Sequence, residues 1–355
     1  VTDPDPGLTL EADDRVLVTG AAGFIGSSVA RELAGRGVHV VALVEPGGDV
    51  ANLEGLDVEV VSGDLRDADA VAKATDGCRV VFHIAALYRF WAKNPEDFYD
   101  INVNGTRRVL DAARTAGCER LVYTSTVGTL GLHGATTADP VDETSFARID
   151  HLFGGYKQSK YVAEHEVLRA GAGGFPVVLV QPTTPVGPRD RGPTPTGRTV
   201  QEILNGRFPG YVDTTLNIVD VEDVAHGHVL AAERGRNGRS YILGGENLTL
   251  HEVIDALAAA TGVTAPTREF PGSFALVAAH LSGLIEGRLL RREPTIPLEA
   301  AKMSTTHMSF DDRRARSELG YTSRPAAVAL ARAARWFVDA GYIRSERAAT
   351  FVWSE

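Results

Sequence analysis

The run GGYKQSKYVAEHEV (154–167) sets Tyr156 four residues before Lys160. On a helix, positions i and i+4 stack on one face, which puts the lysine ammonium beside the tyrosine phenol. A cation there favours phenolate and draws the tyrosine pKa toward working pH, as a general acid/base requires. Far upstream, TGAAGFIG (19–26) spaces Gly20, Gly23 and Gly26 as G-x-x-G-x-x-G, with Phe24 and Ile25 inside the turn. It follows the β-branched run RVLVT (15–19) and opens SSVARELAGRG (27–37), which has helical periodicity and a terminal glycine. Glycines in such a strand-to-helix turn let a pyrophosphate approach the backbone and sit on the free N–H groups of the helix N-terminus. The spacing of the first two glycines differs from the more general G-x-G-x-x-G.

Elements that could hold these groups alternate along the first half of the chain. Strands are expected at 15–19, 38–44, 58–62, 79–84, 120–125 and 176–181, with helices between them, so the fold is α/β with a parallel sheet covered on both faces. The 355 residues, 44% of them hydrophobic, supply a large core. With 36 basic and 46 acidic residues the formal charge is −10. An acidic chain without a Lys/Arg run is a poor nucleic-acid binder, because phosphate neutralisation drives that affinity. Cys78 and Cys118 each precede an apolar run and are expected as buried thiols in a reducing compartment. His83, His133, His226 and His228 show no metal-ligand pattern and read as structural. No apolar run reaches the roughly 20 residues of a membrane span. The first 14 residues, acidic and proline-bearing, read as a flexible tail without a secretory signal. A cytoplasmic protein is the expectation.

The tyrosine–lysine pair and the glycine turn together resemble the extended branch of the short-chain dehydrogenase/reductases, the NAD-dependent epimerase/dehydratase family, over roughly residues 14–344. Further matching pieces are GDLRD (63–67), HIAAL (83–87), INVNGT (101–106), LVYTSTVGTLG (121–131), QPTTPVGPRD (181–190) and NIVDVEDVAHGH (217–228). Within that branch, ALYRFWAKNPEDFYDINVNGT, PTPTGR and YILGGENLTL are similar to hopanoid-associated sugar epimerases and dihydroflavonol-4-reductase-like enzymes. The resemblance implies a Rossmann-type doubly wound sheet with a smaller C-terminal substrate-binding lobe. It implies a first domain of 15–182 plus 217–248, and a lobe of 183–216 plus 249–355. Proline and glycine break the chain between them at 182–198.

An acidic residue after the second strand receives the adenosine ribose hydroxyls, whereas an arginine there accepts a 2′-phosphate. Glu45, in VVALVEPGG (40–48), fills that role and would repel a phosphate dianion, so NAD is expected in preference to NADP. The resemblance places Asp64 and Leu65 at the adenine, Ala85 and Ala86 on the small-residue wall beneath the cofactor, and Pro182 and Thr183 at the carboxamide. It makes Asn102 the support of the active-site helix and of a bound water, and has Lys160 also grip the nicotinamide ribose. The family's catalytic hydroxyl falls on Thr126, with Ser125 as its neighbour in cofactor or supporting contact. Thr126 would stabilise charge on the substrate oxygen, and Tyr156 would give or take its proton. The cofactor would carry the hydride.

Neighbouring positions select among the family's reactions. Dehydratases follow their threonine with Asp-Glu, where this chain has Val127 and Gly128. Nucleotide-sugar epimerases place an arginine where Leu216 stands, removing a charge-assisted fork on the diphosphate. Arg189, Arg191 and Arg198 in a nearby loop could compensate. Tyr88, Phe90 and Trp91, three aromatics in four residues after the fourth strand, suit an apolar small-molecule substrate, with Tyr88 and Trp91 in contact with it. The apolar helix SFALVAAHLSGLI (273–285) is a core element, a lid or an interfacial docking helix. The expectation is an NAD(P)-dependent oxidoreductase interconverting an alcohol and a carbonyl. The rivals are an epimerase that oxidises and re-reduces one carbon, and a non-catalytic dinucleotide sensor. A homodimer through the helices of 101–117 and 156–171 is possible, their outer faces carrying Arg107, Arg108, Arg114, Glu164 and Glu166.

Overall fold

The structure, a computed structural model, describes residues 7–89, 91–132, 135–284, 286, 298–303 and 305–353. Seven parallel strands among them form the main sheet. They are β1 (Arg15–Thr19), β2 (His39–Val44), β3 (Val58–Ser62), β4 (Val80–His83), β5 (Arg120–Thr124), β6 (Val177–Pro182) and, after two strands of another sheet, β9 (Arg239–Leu243). Their order is β3-β2-β1-β4-β5-β6-β9. The central strands are mostly apolar, and Val16, Leu17, Val18, Val80, Val81 and Phe82 are fully buried. A strand covered on both faces carries no polar alternation, so its sequence reads as a continuous apolar run. At the edge, β3 leaves Val60 half exposed.

Helices α1 (Phe24–Gly35), α2 (Ala68–Thr75), α3 (Glu96–Tyr99), α4 (Gly105–Thr115), α5 (Gly155–Ala172), α6 (Pro195–Leu204) and α7 (Val221–Arg234) follow in chain order. One core cluster lies between the sheet and the α1/α7 face, joining Val29, Leu33, Val224 and Val229 to Val18 and Val40. A second lies between the sheet and α2, α4 and α5, joining Val71, Val109, Leu110 and Val167 to Leu17 and Leu121. Just before α4 the helix widens into a π-turn over 100–104 that contains Asn102, a local bulge of the sort found at functional sites.

The second lobe has its own three-stranded sheet, β10-β8-β7, from β7 (Thr184–Val186), β8 (Thr215–Asp220) and β10 (Glu246–Thr249). Its core joins β7, β8 and α6 to α8 (Leu250–Thr261) and the late helix Ala326–Asp339. Residues 217, 218, 246 and 247, expected in the first domain, belong to this second sheet, with Ile218 paired to Glu246 and Asn217 to Asn247. The return to the first lobe begins at α7. The C-terminal part also crosses back, because Ala315, Leu319 and Tyr321 are buried in the cluster under α7.

The tail expected to be flexible is anchored from residue 7 onward. Leu8 and Leu10 are buried in the first core, and Arg79 donates to the Thr9 carbonyl at 2.9 Å. Two leucines two residues apart dock on one face of an extended segment, and the nearby acids and prolines masked that signal. Cys78 and Cys118 are buried free thiols, and burial pushes them up to about 12 and about 11. In the apolar segment 273–285, α9 (Gly272–Ser282) forms, with Ala279 buried and Val277 exposed. No helix among the described residues is long and apolar enough to cross a membrane.

Candidate active site

The glycine turn leaves β1 at the point where β2 and β4 diverge on either side of it, the crevice where ligands bind on open α/β sheets. Gly20 has φ of 66°, and a Cβ there would stand 2.8 Å from Ala85 Cα. A Cβ on Gly26 would collide with the Gly20 carbonyl. Gly23 caps α1 without a side-chain hydrogen bond, so the first amides of the helix point outward unmet. Beneath the turn, a buried relay fixes its relation to β4. Thr19 Oγ1 accepts from the amides of Ile84 and Ala85, both at 3.1 Å, and donates to His83 Nδ1 at 2.8 Å. His83 Nε2–H then donates to Thr106 Oγ1 at 2.9 Å, whose hydroxyl donates to the Asn102 carbonyl at 2.6 Å. Burial holds the His83 pKa down at about 3, so the ring is a neutral strut. His228 is likewise buried, paired with Thr124 Oγ1 at 2.8 Å, while His133 lies outside the described residues.

A cleft of about 2000 Å³ runs from this turn to the second lobe. At its cofactor end stand Gly20, Gly23, Phe24, Ile25 and Gly26, then Glu45, Asp64 and Leu65, with Ala85 and Ala86 forming the small-residue wall. Glu45 is exposed at the mouth. Asp64 binds Arg66 at 2.6 Å, and this pairing holds its carboxyl below the ordinary range. Pro182 and Thr183 line the opposite side. Asn102 does not line the cleft. Its side chain accepts from the Leu87 amide at 2.7 Å and donates to Ser159 Oγ at 2.9 Å, tying the loop after β4 to α5. It acts from behind the wall.

Thr126, Tyr156 and Lys160 meet midway along the cleft. Thr126 caps a tight turn, Val127–Thr129, with Oγ1 accepting from the Gly128 amide at 3.1 Å. The same hydroxyl lies near enough to the Tyr156 phenol to favour its ionised form, and the Tyr88 ring stands 4.8 Å from the Tyr156 ring. Lys160 is buried, donating from Nζ to the Thr124 carbonyl at 2.7 Å and lying 4.1 Å above the Tyr123 ring. The expected lowering of the Tyr156 pKa by Lys160 is absent. Burial and the neighbouring Tyr88 push the phenol above its usual value, and the nearby Thr126 hydroxyl offsets only part of this. Burial also draws Lys160 down to about 7, with Glu164 opposing. In a dry site both charged forms are disfavoured, and desolvation exceeds the pair's attraction.

Glu164 is a residue that the sequence reading misplaced on the outer face. It lies inward, one turn beyond Lys160, where it accepts hydrogen bonds from the Ser125 hydroxyl and, at 2.9 Å, from the Thr129 hydroxyl. One carboxylate thus grips both ends of the turn that presents Thr126 and pins it to the helix of Tyr156 and Lys160. The i, i+4, i+8 spacing was the available signal. The Ser125 hydroxyl is committed to this grip. On the outer face, Arg107 and Arg169 pair with Glu166 at 2.8 and 3.0 Å.

At the substrate end, Tyr88 and Trp91 line the cleft, and Phe90 lies outside the described residues. The opposite wall is Leu216, Phe208, Val253, Phe270, Met308 and Phe310. The loop arginines do not reach it. Arg189 pairs with Glu222 at 2.8 Å, Arg191 with Asp49 at 3.0 Å, and Arg198 donates to the Pro193 carbonyl at 3.1 Å. Lys157 and Arg268, unremarked in the sequence, do line the cleft. Arg268 lies 4.7 Å over the Phe270 ring.

A model of the NAD dependent epimerase/dehydratase family matches residues 16–244. A dihydroflavonol 4-reductase-like protein of Synechocystis sp. is 40% identical over 94% of this chain and 97% of its own length. Sterol demethylase protein B of Methylococcus capsulatus is 32% identical over 92% of this chain and 99% of its own. The solved structure of a nucleoside-diphosphate-sugar epimerase from Pseudomonas aeruginosa superposes with a TM-score of 0.76 at 26% identity, covering 93% of this chain and 99% of that one.

Proposed function

This chain belongs to the NAD dependent epimerase/dehydratase family, and from that premise we propose that it is an NAD-dependent oxidoreductase that interconverts an alcohol and a carbonyl on an apolar small molecule. The glycine turn fits the dinucleotide, since its backbone leaves no room for side chains at Gly20 or Gly26 and the α1 amides are uncapped. Glu45 and Asp64 would hold the adenosine end and favour NAD over NADP. Bound there, NAD supplies the acceptor or donor of the hydride.

The chain's own residues do the remaining work. Thr126 holds the substrate oxygen and steadies the charge that grows on it. Tyr156, on the same stretch of cleft wall as Thr126, passes the proton to or from that oxygen. Lys160 keeps a positive charge beneath the pair, and Asn102 and Glu164 hold helix and turn in place. The observation that carries the reading is that Thr126, Tyr156 and Lys160 come together on the wall of one cleft whose far end is lined by apolar side chains. The apolar wall also fits the relatives named for a dihydroflavonol reductase and a sterol demethylase. No acid follows Thr126 to expel a hydroxyl, and Leu216 leaves a diphosphate without its fork.

The test is to incubate the protein with NAD and a panel of apolar secondary alcohols and to follow reduced nicotinamide by its near-ultraviolet absorbance. Net accumulation is expected with at least one alcohol, faster with NAD than with NADP. Inversion of a carbinol centre without net accumulation would instead make the protein an epimerase.

A further inference from the structure

Asn52, on the short helical turn Ala51–Leu53 after β2, is 6% exposed, although a carboxamide ordinarily faces water. Its Nδ2 donates to two backbone carbonyls, that of Ala22 at 3.1 Å and that of Arg189 at 3.0 Å. Ala22 belongs to the glycine turn and lines the cleft, while Arg189 lies in the second lobe between β7 and α6. Neither Asn52 nor Arg189 lines the cleft, so the bridge grips the turn from behind. The inner limb of the turn is fixed to β2, the Gly20 and Ala21 amides donating to the Leu43 carbonyl at 3.1 and 3.4 Å. The outer limb is fixed by Asn52. Its grip is on the Ala22–Gly23 peptide, directly before the uncapped amides of α1. A peptide is planar, so holding that carbonyl helps to set where the amides after it point.

The far end of the bridge is held in a strained form. Arg189 has φ of 74°, and among the described residues it is the only non-glycine residue at a positive φ. There the Cβ of an L residue crowds its own backbone, whereas glycine enters freely. Several contacts keep Arg189 in place. Its guanidinium pairs with Glu222 at 2.8 Å, and its carbonyl accepts from the Arg191 amide at 2.9 Å as well as from Asn52. Arg191 in turn pairs with Asp49, just before Asn52, at 3.0 Å. We propose that Asn52 is a positioning residue for the dinucleotide. By joining Ala22 to the left-handed backbone of Arg189, it holds the glycine turn in the form that receives the pyrophosphate. The second lobe thereby tunes NAD affinity through residues that stand off the cleft wall. This rests on the glycine turn as the NAD site and adds what keeps that turn in shape.

NAD is titrated by fluorescence into the wild type, Asn52→Ala, Arg189→Gly, Arg189→Ala and the double variant Asn52→Ala/Arg189→Ala, with urea unfolding of each in parallel. Asn52→Ala should raise the NAD Kd about fivefold to tenfold, the effect of losing the hydrogen bonds that set the turn. The two substitutions at 189 remove the same guanidinium and differ in what the backbone can adopt. Arg189→Ala should therefore bind NAD about threefold or more weakly than Arg189→Gly. Because both sites act through one bond, the double variant should bind no more weakly than Asn52→Ala alone. A urea midpoint that falls in Asn52→Ala while its Kd stays at the wild-type value makes Asn52 a packing residue and overturns the proposal. Equal Kd values for the two variants at 189, or additive losses in the double variant, overturn it as well. Should Asn52→Ala fail to fold, the pair at 189 decides. A wild type that binds no NAD removes the cofactor site and the proposal together. NAD binding indifferent to residues 52 and 189 removes the proposal alone.

Discussion

At the scale of single residues, burial rather than pairing sets the protonation of the centre. Tyr156 and Lys160 share a helix face, yet the ammonium is given to the Thr124 carbonyl, and burial rather than the lysine sets the phenol. Lys160 sits near a pKa of about 7, which burial lowers and Glu164 supports. Charged Lys160 is the working form, so kcat/KM should fall as pH rises through that value. Glu164→Gln removes the supporting charge, and the Lys160 pKa falls further. The alkaline limb of kcat/KM should therefore move to lower pH, by about one unit. It should also lower kcat, because the turn that carries Thr126 loses its two-ended anchor. A pH profile identical to that of the wild type would show that Glu164 is no more than a packing residue. The Tyr–Lys spacing was legible in the chain, and so was the family position of Thr126. The direction of the tyrosine shift was not, because spacing gives adjacency on a helix but says nothing of how dry the surroundings are.

At the scale of elements, the strands that read most clearly are those buried on both faces, since the Val16-Leu17-Val18 core of a run such as RVLVT is unbroken by polar residues. β9 was missed because Arg239 and Ser240 open it. The three strands of the second sheet were missed because they are short and carry polar or proline residues, as in Glu246–Thr249 and Thr184–Val186. The strand-to-helix turn was legible through its glycines, and its steric demand can be tested. Gly26→Ala forces a methyl into the Gly20 carbonyl. The displaced turn should weaken NAD binding by about 1–3 kcal/mol, which fluorescence titration would read as a tenfold to hundredfold rise in Kd. Unchanged affinity would mean that the turn does not cradle the dinucleotide. The N-terminal segment gives a second test. Leu10→Ala leaves a hole in the first core and should cost about 2–5 kcal/mol in urea unfolding. An unmoved midpoint would show that 7–14 is the loose tail its composition suggests.

At the scale of the whole molecule, the chain crosses between two bodies, and the cleft is what the crossings enclose. The first lobe supplies the glycine turn, the small-residue wall and the Thr126–Tyr156–Lys160 centre, all of which carry local motifs. The second supplies Leu216, Phe270 and Met308 from segments far apart in the chain. No local pattern announces that they share a wall. Cofactor chemistry was therefore readable in the sequence, while the shape and charge of the substrate end needed the fold. The central claim is that a hydride leaves the substrate carbon at a centre whose proton is handled by Tyr156. It is tested most directly with an oxidisable apolar alcohol deuterated at the carbinol carbon, supplied with NAD to the wild type and to Tyr156→Phe. Deuterium should appear in the reduced nicotinamide with the wild type, and the variant should transfer it about a hundredfold to ten-thousandfold more slowly at nearly unchanged NAD affinity. Transfer at the wild-type rate by Tyr156→Phe, or turnover in which no deuterium reaches the nicotinamide, would contradict it.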